Sequence, residues 1–249
     1  MTDHKVYEID TTTLTLAVSD GTTMPAYVAR PQGGGSGRGL MVFQEAFGVN
    51  AHIRDVTERF ARLGYTAMAP ALFHRTDASF EGSYTDFGPV MQHMQALTED
   101  RMTADVQAAY GWLAASDGGN ATAIGSIGYC LGGRVSYLAD VVVPVLASVS
   151  YYGGGIAPNP ERGMPGMLGR AQDLHAPILL FWGGLDKHIG PEQTRAVEDA
   201  LSAAGKEYAN VTFSRADHGF FCDARPVYEP NAARQSWTLA LAFFDSYLR

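Results

Sequence analysis

The chain has 249 residues, 46% of them apolar and 18% charged, with a formal net charge of −8 at pH 7. That length and apolar share allow a large core without covalent staples, and two cysteines, Cys130 and Cys222, do not make a disulfide framework. The acidic balance leaves no basic face for nucleic acid or an anionic membrane, and the low charged fraction argues against a disordered tail or a coiled coil. The first 20 residues, Met1 to Asp20, carry charge and threonines and no apolar run. Neither a signal peptide nor a membrane span is therefore expected, and a reducing cytoplasm is the simplest compartment for a free thiol.

The N-terminus alternates like a strand pair, Val6 to Val18 and Met24 to Arg30, joined by a Ser19-Asp20-Gly21-Thr22 turn. Gly33-Gly34-Gly35-Ser36-Gly37 lacks the Gly-Lys-Ser/Thr ending of a phosphate loop and reads as plain connection. Leu40-Met41-Val42-Phe43 is a short apolar run, as expected of a strand covered on both faces. A helix follows with Ile53, Val56, Phe60 and Leu63 on one side, stopped by Gly64. Tyr65 to Leu72 is the next strand, and the irregular segment Phe73 to Pro89 is a candidate pocket wall. Helix Thr98 to Ala115 precedes strand Ala123 to Tyr129, after which a helix runs from Arg134. Val145 to Tyr151 and Pro177 to Trp182 are buried strands. Helix Glu192 to Ala204 leads to strand Ala209 to Phe213, and helix Ala232 to Leu248 closes the chain. No repeat, low-complexity block or linker divides the chain, so this order predicts one α/β domain over residues 1–249. Its sheet would be mostly parallel and twisted, of about eight strands, with helices on both faces and no separate lid.

The strongest local signal is Ser126-Ile127-Gly128-Tyr129-Cys130-Leu131-Gly132-Gly133, a strand, Gly-x-Cys-x-Gly, then a helix. This is the nucleophile-elbow pattern of α/β-hydrolases with cysteine in place of the commoner serine. The positive end of the helix beneath the sulfur favours a thiolate and a developing oxyanion. A glycine-rich turn with an inert buried cysteine would look the same locally. An elbow needs an acid and a histidine later in the chain, in that order. Asp186 follows a strand in Gly183-Gly184-Leu185-Asp186, and His218 follows the next in Ala216-Asp217-His218-Gly219-Phe220. Both stand just past strand C-termini, where open α/β sheets bind ligands. Alone, Asp186 reads equally as a helix cap before Pro191, and His218 as a surface turn. His52, His74, His93, His175 and His188 have no His-Glu-x-x-His or Cys-x-x-Cys companion, so no metal site is expected.

From about Met24 onward the chain resembles the dienelactone hydrolase family. The most specific pieces are Gln44-Glu45-Ala46-Phe47-Gly48-Val49-Asn50, Gly128-Tyr129-Cys130-Leu131-Gly132-Gly133, Tyr151-Tyr152-Gly153 and Asp217-His218-Gly219-Phe220. The resemblance implies an α/β-hydrolase fold and a role for Glu45 beside the thiol, taking its proton when substrate binds. Without the resemblance, Glu45 would read as a cap for the helix near Asn50. The oxyanion donors would be the backbone N–H groups of Leu131 and Ala46. Arg75 matches a family arginine that grips a substrate carboxylate, and otherwise reads as a surface arginine. The second such arginine lies four residues after the histidine in the family, and here that position is Cys222. Arg225, three residues further on, is the candidate to replace it. Tyr152 matches a pocket tyrosine, with buried packing as its other reading. The expected protein is a cofactor-free hydrolase of small lactones or activated esters, a monomer or small homo-oligomer, using Cys130, His218 and Asp186. Its rivals are a broad carboxylesterase or thioesterase on the same triad and a non-catalytic thiol-redox or binding protein.

Overall fold

The computed structural model describes residues 5–249, so the first four residues of the domain range and of the N-terminal stretch lie outside it. Eight strands form one sheet: β1 (Ile9–Ala17), β2 (Thr23–Pro31), β3 (Arg38–Phe43), β4 (Thr66–Pro70), β5 (Ala123–Tyr129), β6 (Ala147–Tyr151), β7 (Ile178–Gly183) and β8 (Tyr208–Phe213). Their spatial order is β1-β2-β4-β3-β5-β6-β7-β8. The pairs β1–β2 and β2–β4 are antiparallel, and every pair from β4 across to β8 is parallel. The sequence sorts these strands by environment. Threonine-rich β1 lies at an edge and is largely exposed, whereas β5, β6 and β7 are buried along their whole length. Parallel strands must be joined by crossovers, and those crossovers carry the helices that cover both faces.

The α-helices among the described residues are α1 (Ala51–Arg62), α2 (His74–Asp77), α3 (Gly88–Ala96), α4 (Glu99–Ala114), α5 (Leu131–Val142), α6 (Pro191–Ala203) and α7 (Pro230–Tyr247). Local chemistry fixes several of their ends. The Asn50 side chain accepts from Ile53 N at 3.2 Å to start α1, and Thr98 accepts from Arg101 N to start α4. Gly64, with φ of 95°, terminates α1 where a side chain would be strained. No helix among the described residues is long and apolar enough to cross a membrane.

Two elements differ from the sequence reading. The segment taken as irregular contains α2 and most of it leads into α3, where Val90 and His93 are the buried positions. Two buried positions print too narrow a stripe for a 3.6-residue period to register. Helix α5 begins at Leu131, three residues before Arg134, because Gly132 and Gly133 lie within the helix rather than before it. They are there for space: a Cβ on Gly132 would stand 2.2 Å from Phe43 O, and one on Gly133 2.7 Å from Tyr151 O.

After β3 the chain moves to one side of the sheet to form β4, then returns across β3 to form β5. The C-terminal ends of β3 and β5 therefore flank the point where the winding reverses, the usual ligand crevice of such sheets. Phe43 registers with Gly128 across these strands. Glu45 and Cys130 each lie two residues beyond that pair, so the topology alone brings them to the same edge.

Candidate active site

Cys130 sits between β5 and α5 with φ 56° and ψ −114°, a conformation that costs a non-glycine residue energy and persists only when its surroundings enforce it. Here they do. Cys130 N donates to Tyr151 O at 3.0 Å, and Cys130 O accepts from Gly133 N at 3.0 Å. A Cβ on Gly128 would fall 1.9 Å from Gly132 O, so the strand and helix can meet this closely only with glycine there. The Leu131 N–H belongs to the first turn of α5, whose N–H groups have no acceptor within the helix. Ala46, the other expected oxyanion donor, is buried in the loop after β3.

The structure brings His218 and Asp186 together. His218 Nδ1 and Asp186 Oδ2 are 2.7 Å apart, with both side chains largely buried. Asp186 Oδ1 accepts from His188 N at 2.7 Å and Ile189 N at 3.1 Å, which fixes the carboxylate plane toward the imidazole. Burial pushes the Asp186 carboxyl up, but the His218 bond and these backbone donors outweigh it and hold it below its ordinary value. Burial likewise opposes the imidazolium of His218, yet the neighbouring Cys130 sulfur, which hydrogen-bonds the ring, and Asp186 together raise it well above the usual histidine value. The ring packs against Tyr152 at 5.1 Å between centroids and meets the His188 ring edge-on at 5.2 Å. Tyr152 is fully buried at a positive φ of 38°, and its hydroxyl has no hydrogen-bond partner. That hydroxyl is consistent with either pocket lining or packing.

Glu45 is fully buried, and burial raises its carboxyl above the ordinary range while Arg225 and His218 pull it back. Its Oε1 accepts from Arg225 Nη1 at 3.1 Å, and its Oε2 has no partner. Arg225 thus reaches the crevice despite standing seven residues after His218. Its path crosses Gly219, where a Cβ would lie 1.9 Å from Nη1 and where φ is 87°. The guanidinium also stands over the rings of Phe47 and Tyr84, 5.6 and 5.8 Å from their centroids. Arg75 departs from the expectation. Its Nη1 and Nη2 bind the fully buried Asp105 at 2.9 and 2.8 Å, and its Nε binds Asp20 at 2.7 Å. Two carboxylates already claim the guanidinium, so it ties α2 to α4 and to the β1–β2 turn instead of offering a grip for substrate.

Sequence reasoning gave no role to Tyr84, Asn50 or His52, which the fold places around this carboxylate. The Tyr84 hydroxyl accepts from Asn50 Nδ2 at 2.9 Å and from the Cys222 thiol at 3.3 Å, and its ring packs edge-on against Phe47. Tyr84 lies in the pocket-wall segment flagged above. Nothing in its spacing marks it out, because its partners come from the loop between β3 and α1 and from the loop after β8.

The chain as a whole is similar to known proteins in sequence and fold. The family model for the dienelactone hydrolase family matches residues 24–248. A candidate carboxymethylenebutenolidase of Salmonella typhimurium is 34% identical over 240 residues, covering 94% of this chain and 87% of the relative. One from Synechocystis is 32% identical over 242 residues, covering 96% and 98%. The crystal structure of a candidate dienelactone hydrolase from Klebsiella pneumoniae superposes with a TM-score of 0.85 at 31% identity, over 96% of this chain and 100% of that one. The chain belongs to the dienelactone hydrolase family, beginning at Met24 with the part of the sequence that carries its motifs.

Proposed function

We propose that this protein is a cytoplasmic, cysteine-dependent carboxylic-ester hydrolase that opens a small lactone or activated ester, with Cys130 as nucleophile. The observation that carries this is the strained elbow holding the Cys130 sulfur on an imidazole whose other side is bound by Asp186 at 2.7 Å. In this mechanism the resting Glu45 is a carboxylate, with Arg225 on Oε1 opposing the rise in proton affinity that burial imposes. A substrate anion that draws the guanidinium away leaves Glu45 buried without its counter-charge, which raises its proton affinity. Glu45 then takes the Cys130 proton, and the thiolate attacks the carbonyl carbon. The oxyanion lies against the Leu131 and Ala46 N–H groups. His218, protonated and oriented by Asp186, gives its proton to the leaving oxygen as the C–O bond breaks, and an acyl thioester remains on Cys130. Water attacks the thioester while His218 takes back a proton. The departing thiolate recovers its proton from Glu45, and the site is reset.

Membership of a family whose relatives are named carboxymethylenebutenolidases supports the lactone reading. A second reading, an esterase for neutral substrates, has its own observation: Arg75 is paired with Asp105 and Asp20, and Arg225 with Glu45. The test is mass spectrometry of the protein quenched during turnover, with a carboxylate-bearing enol lactone and a neutral p-nitrophenyl ester of similar size. The acyl mass should localise to the peptide containing Cys130. A higher kcat/KM for the anionic lactone supports the first reading, and a higher value for the neutral ester supports the second. An acyl group on another residue, or none with either substrate, overturns both.

A further inference from the structure

Behind the catalytic crevice, three buried side chains from distant parts of the chain converge. Glu45 follows β3, His52 lies in the first turn of α1, and Cys222 lies in the loop between β8 and α7. A carboxylate oxygen, an imidazole nitrogen and the thiol sulfur all lie within 4.8 Å of one another. His52 is 6% exposed and the other two are fully buried. Neither His52 nitrogen has a hydrogen-bond partner, and neither does Glu45 Oε2. Buried polar atoms are paired almost everywhere in proteins, and leaving one unpaired costs about 1–3 kcal/mol. Two buried side chains with unpaired polar atoms, meeting a thiol in one cluster, mark a place built to be completed by something else.

We propose that Glu45, His52 and Cys222 form a binding site for a divalent transition-metal ion of the zinc class, one whose occupancy switches the enzyme off. The donor set decides the kind of ion. One nitrogen, one sulfur and one oxygen match tetrahedral Zn2+, whereas Mg2+ and Ca2+ take oxygen ligands. Zinc bonds of about 2.0–2.3 Å put neighbouring ligand atoms roughly 3.3–3.8 Å apart, so the widest pair here closes by about 1 Å through side-chain rotation. The Tyr84 hydroxyl, 3.3 Å from the Cys222 sulfur, stands where a fourth ligand or a bound water would be held. On binding, the Cys222 S–H bond breaks, its proton passes to solvent and the sulfur bonds to the ion as a thiolate. Arg225 remains on Glu45 Oε1 as an outer partner of the ligating carboxylate. An entry path adjoins the site: a surface cleft of ≈ 160 Å³ is lined by Phe221, Arg59 and Asp223, and the Phe221 ring packs edge-on against His52. Turning Phe221 opens the cluster to that cleft. The metal-bound carboxylate can no longer accept the Cys130 proton. The inhibition rests on the base role proposed for Glu45; the binding does not.

The test uses chelator-stripped protein with Co2+ and Zn2+ as probes. Co2+ should give a thiolate-to-metal charge-transfer band in the wild type and in Cys130→Ala, and none in Cys222→Ala. Zn2+ affinity should fall in His52→Ala by more than the roughly 10–100-fold that losing an outer partner of a metal site costs. Zn2+ should inhibit the wild type reversibly, and His52→Ala should keep its turnover while escaping inhibition. His52→Asn, which preserves side-chain bulk, repeats the measurement if the alanine variant folds poorly. A band that disappears with Cys130 and survives loss of Cys222 places the ion on the catalytic thiol and overturns the proposal, as does the absence of any thiolate band. Binding at this cluster without inhibition supports the site and overturns its role as an off-switch, and with it the base role of Glu45.

Discussion

Replacing Arg225 by glutamine leaves Glu45 buried without its counter-charge, because the shorter side chain does not span the distance that the guanidinium covers. The Glu45 carboxyl is fully buried and the Arg225 side chain 11% exposed, with one hydrogen bond of 3.1 Å between them. A charge-assisted hydrogen bond contributes about 1.5–3 kcal/mol, and stripping one partner from a buried pair costs roughly 3–5 kcal/mol. The residual access of water to Arg225 favours the overlap of these ranges, about 3 kcal/mol at pH 8. The carboxyl escapes that cost by taking up a proton. Burial already raises Glu45 above its ordinary value of 4.5, and Arg225 opposes the rise. Without Arg225 the folded-state value climbs further. A carboxyl raised in the folded state binds its proton more tightly there than in the unfolded chain, so stability is greatest below the ordinary value and is lost as pH climbs through the folded value. The loss caused by Arg225→Gln is therefore smaller at pH 5 than at pH 8. Urea denaturation of the wild type, Arg225→Gln, Glu45→Gln and the double variant at both pH values measures it. The double variant should recover most of the loss at pH 8, with a coupling energy above about 1.5 kcal/mol. A loss of equal size at both pH values, with additive single variants, would refute the reasoning.

Asp186→Asn should lower kcat by about three to four orders of magnitude with the circular dichroism spectrum unchanged, because the asparagine no longer holds His218 in its working tautomer; a loss below tenfold contradicts the pairing. Cys130→Ala should abolish turnover and acyl trapping while Cys222→Ala keeps both, as steady-state rates will show. Arg75→Ala should lower stability by roughly 3 kcal/mol or more, since it strips the buried Asp105 of its two-pronged partner, and leave the preference between anionic and neutral esters unchanged. Asp140, whose carboxyl is pushed up by burial to about 7, accepts from His175 N and Ala176 N at 2.8 Å. Its folded form holds the proton between about 4 and 7 while the unfolded chain releases it, so stability should decline across that window by up to several kcal/mol. Asp140→Asn should flatten that part of the melting temperature against pH curve.

The sequence made the fold legible wherever periodicity and punctuation agreed. The buried runs around Val42, Ile127, Val149 and Leu179 are strands, and Gly64 ends its helix. The placement of Cys130, Asp186 and His218 was legible because it is local: each stands just past a strand end, and Gly128 and Gly132 are required by backbone contacts that any side chain would violate. Arg75 misled because its motif match says nothing about Asp105, thirty residues away in sequence and bonded to it in space. Helix α3 escaped because it buries only two positions. The cluster around Glu45 was invisible for a related reason. His52 and Cys222 are separated by most of the chain, and only the tertiary fold brings them within 4.8 Å of each other.

One rearrangement in the loop after β8 connects the catalytic and metal-binding readings. Where the family pattern places an arginine, four residues after the histidine, this chain has Cys222, and the guanidinium arrives from Arg225. The loop tolerates the change because Gly219, at φ 87°, turns the backbone and leaves room for the longer approach. Arg225 then engages Oε1 of Glu45, and position 222 holds a thiol within 4.8 Å of a carboxylate oxygen of the same residue. The two oxygens differ in their partners: Oε1 accepts from Arg225, while Oε2 is buried with none. An arginine at position 222 would place a second positive charge against that cluster and repel a metal cation at close range, by about 4 kcal/mol for unit charges 4 Å apart at an effective dielectric of 20 and more for a dication. Moving the guanidinium three residues along the loop removes that repulsion and supplies a sulfur ligand in the same step. Cys222→Arg should accordingly abolish Zn2+ binding. If the introduced arginine reaches the crevice, it should also lower KM for an anionic lactone while leaving KM for a neutral ester unchanged.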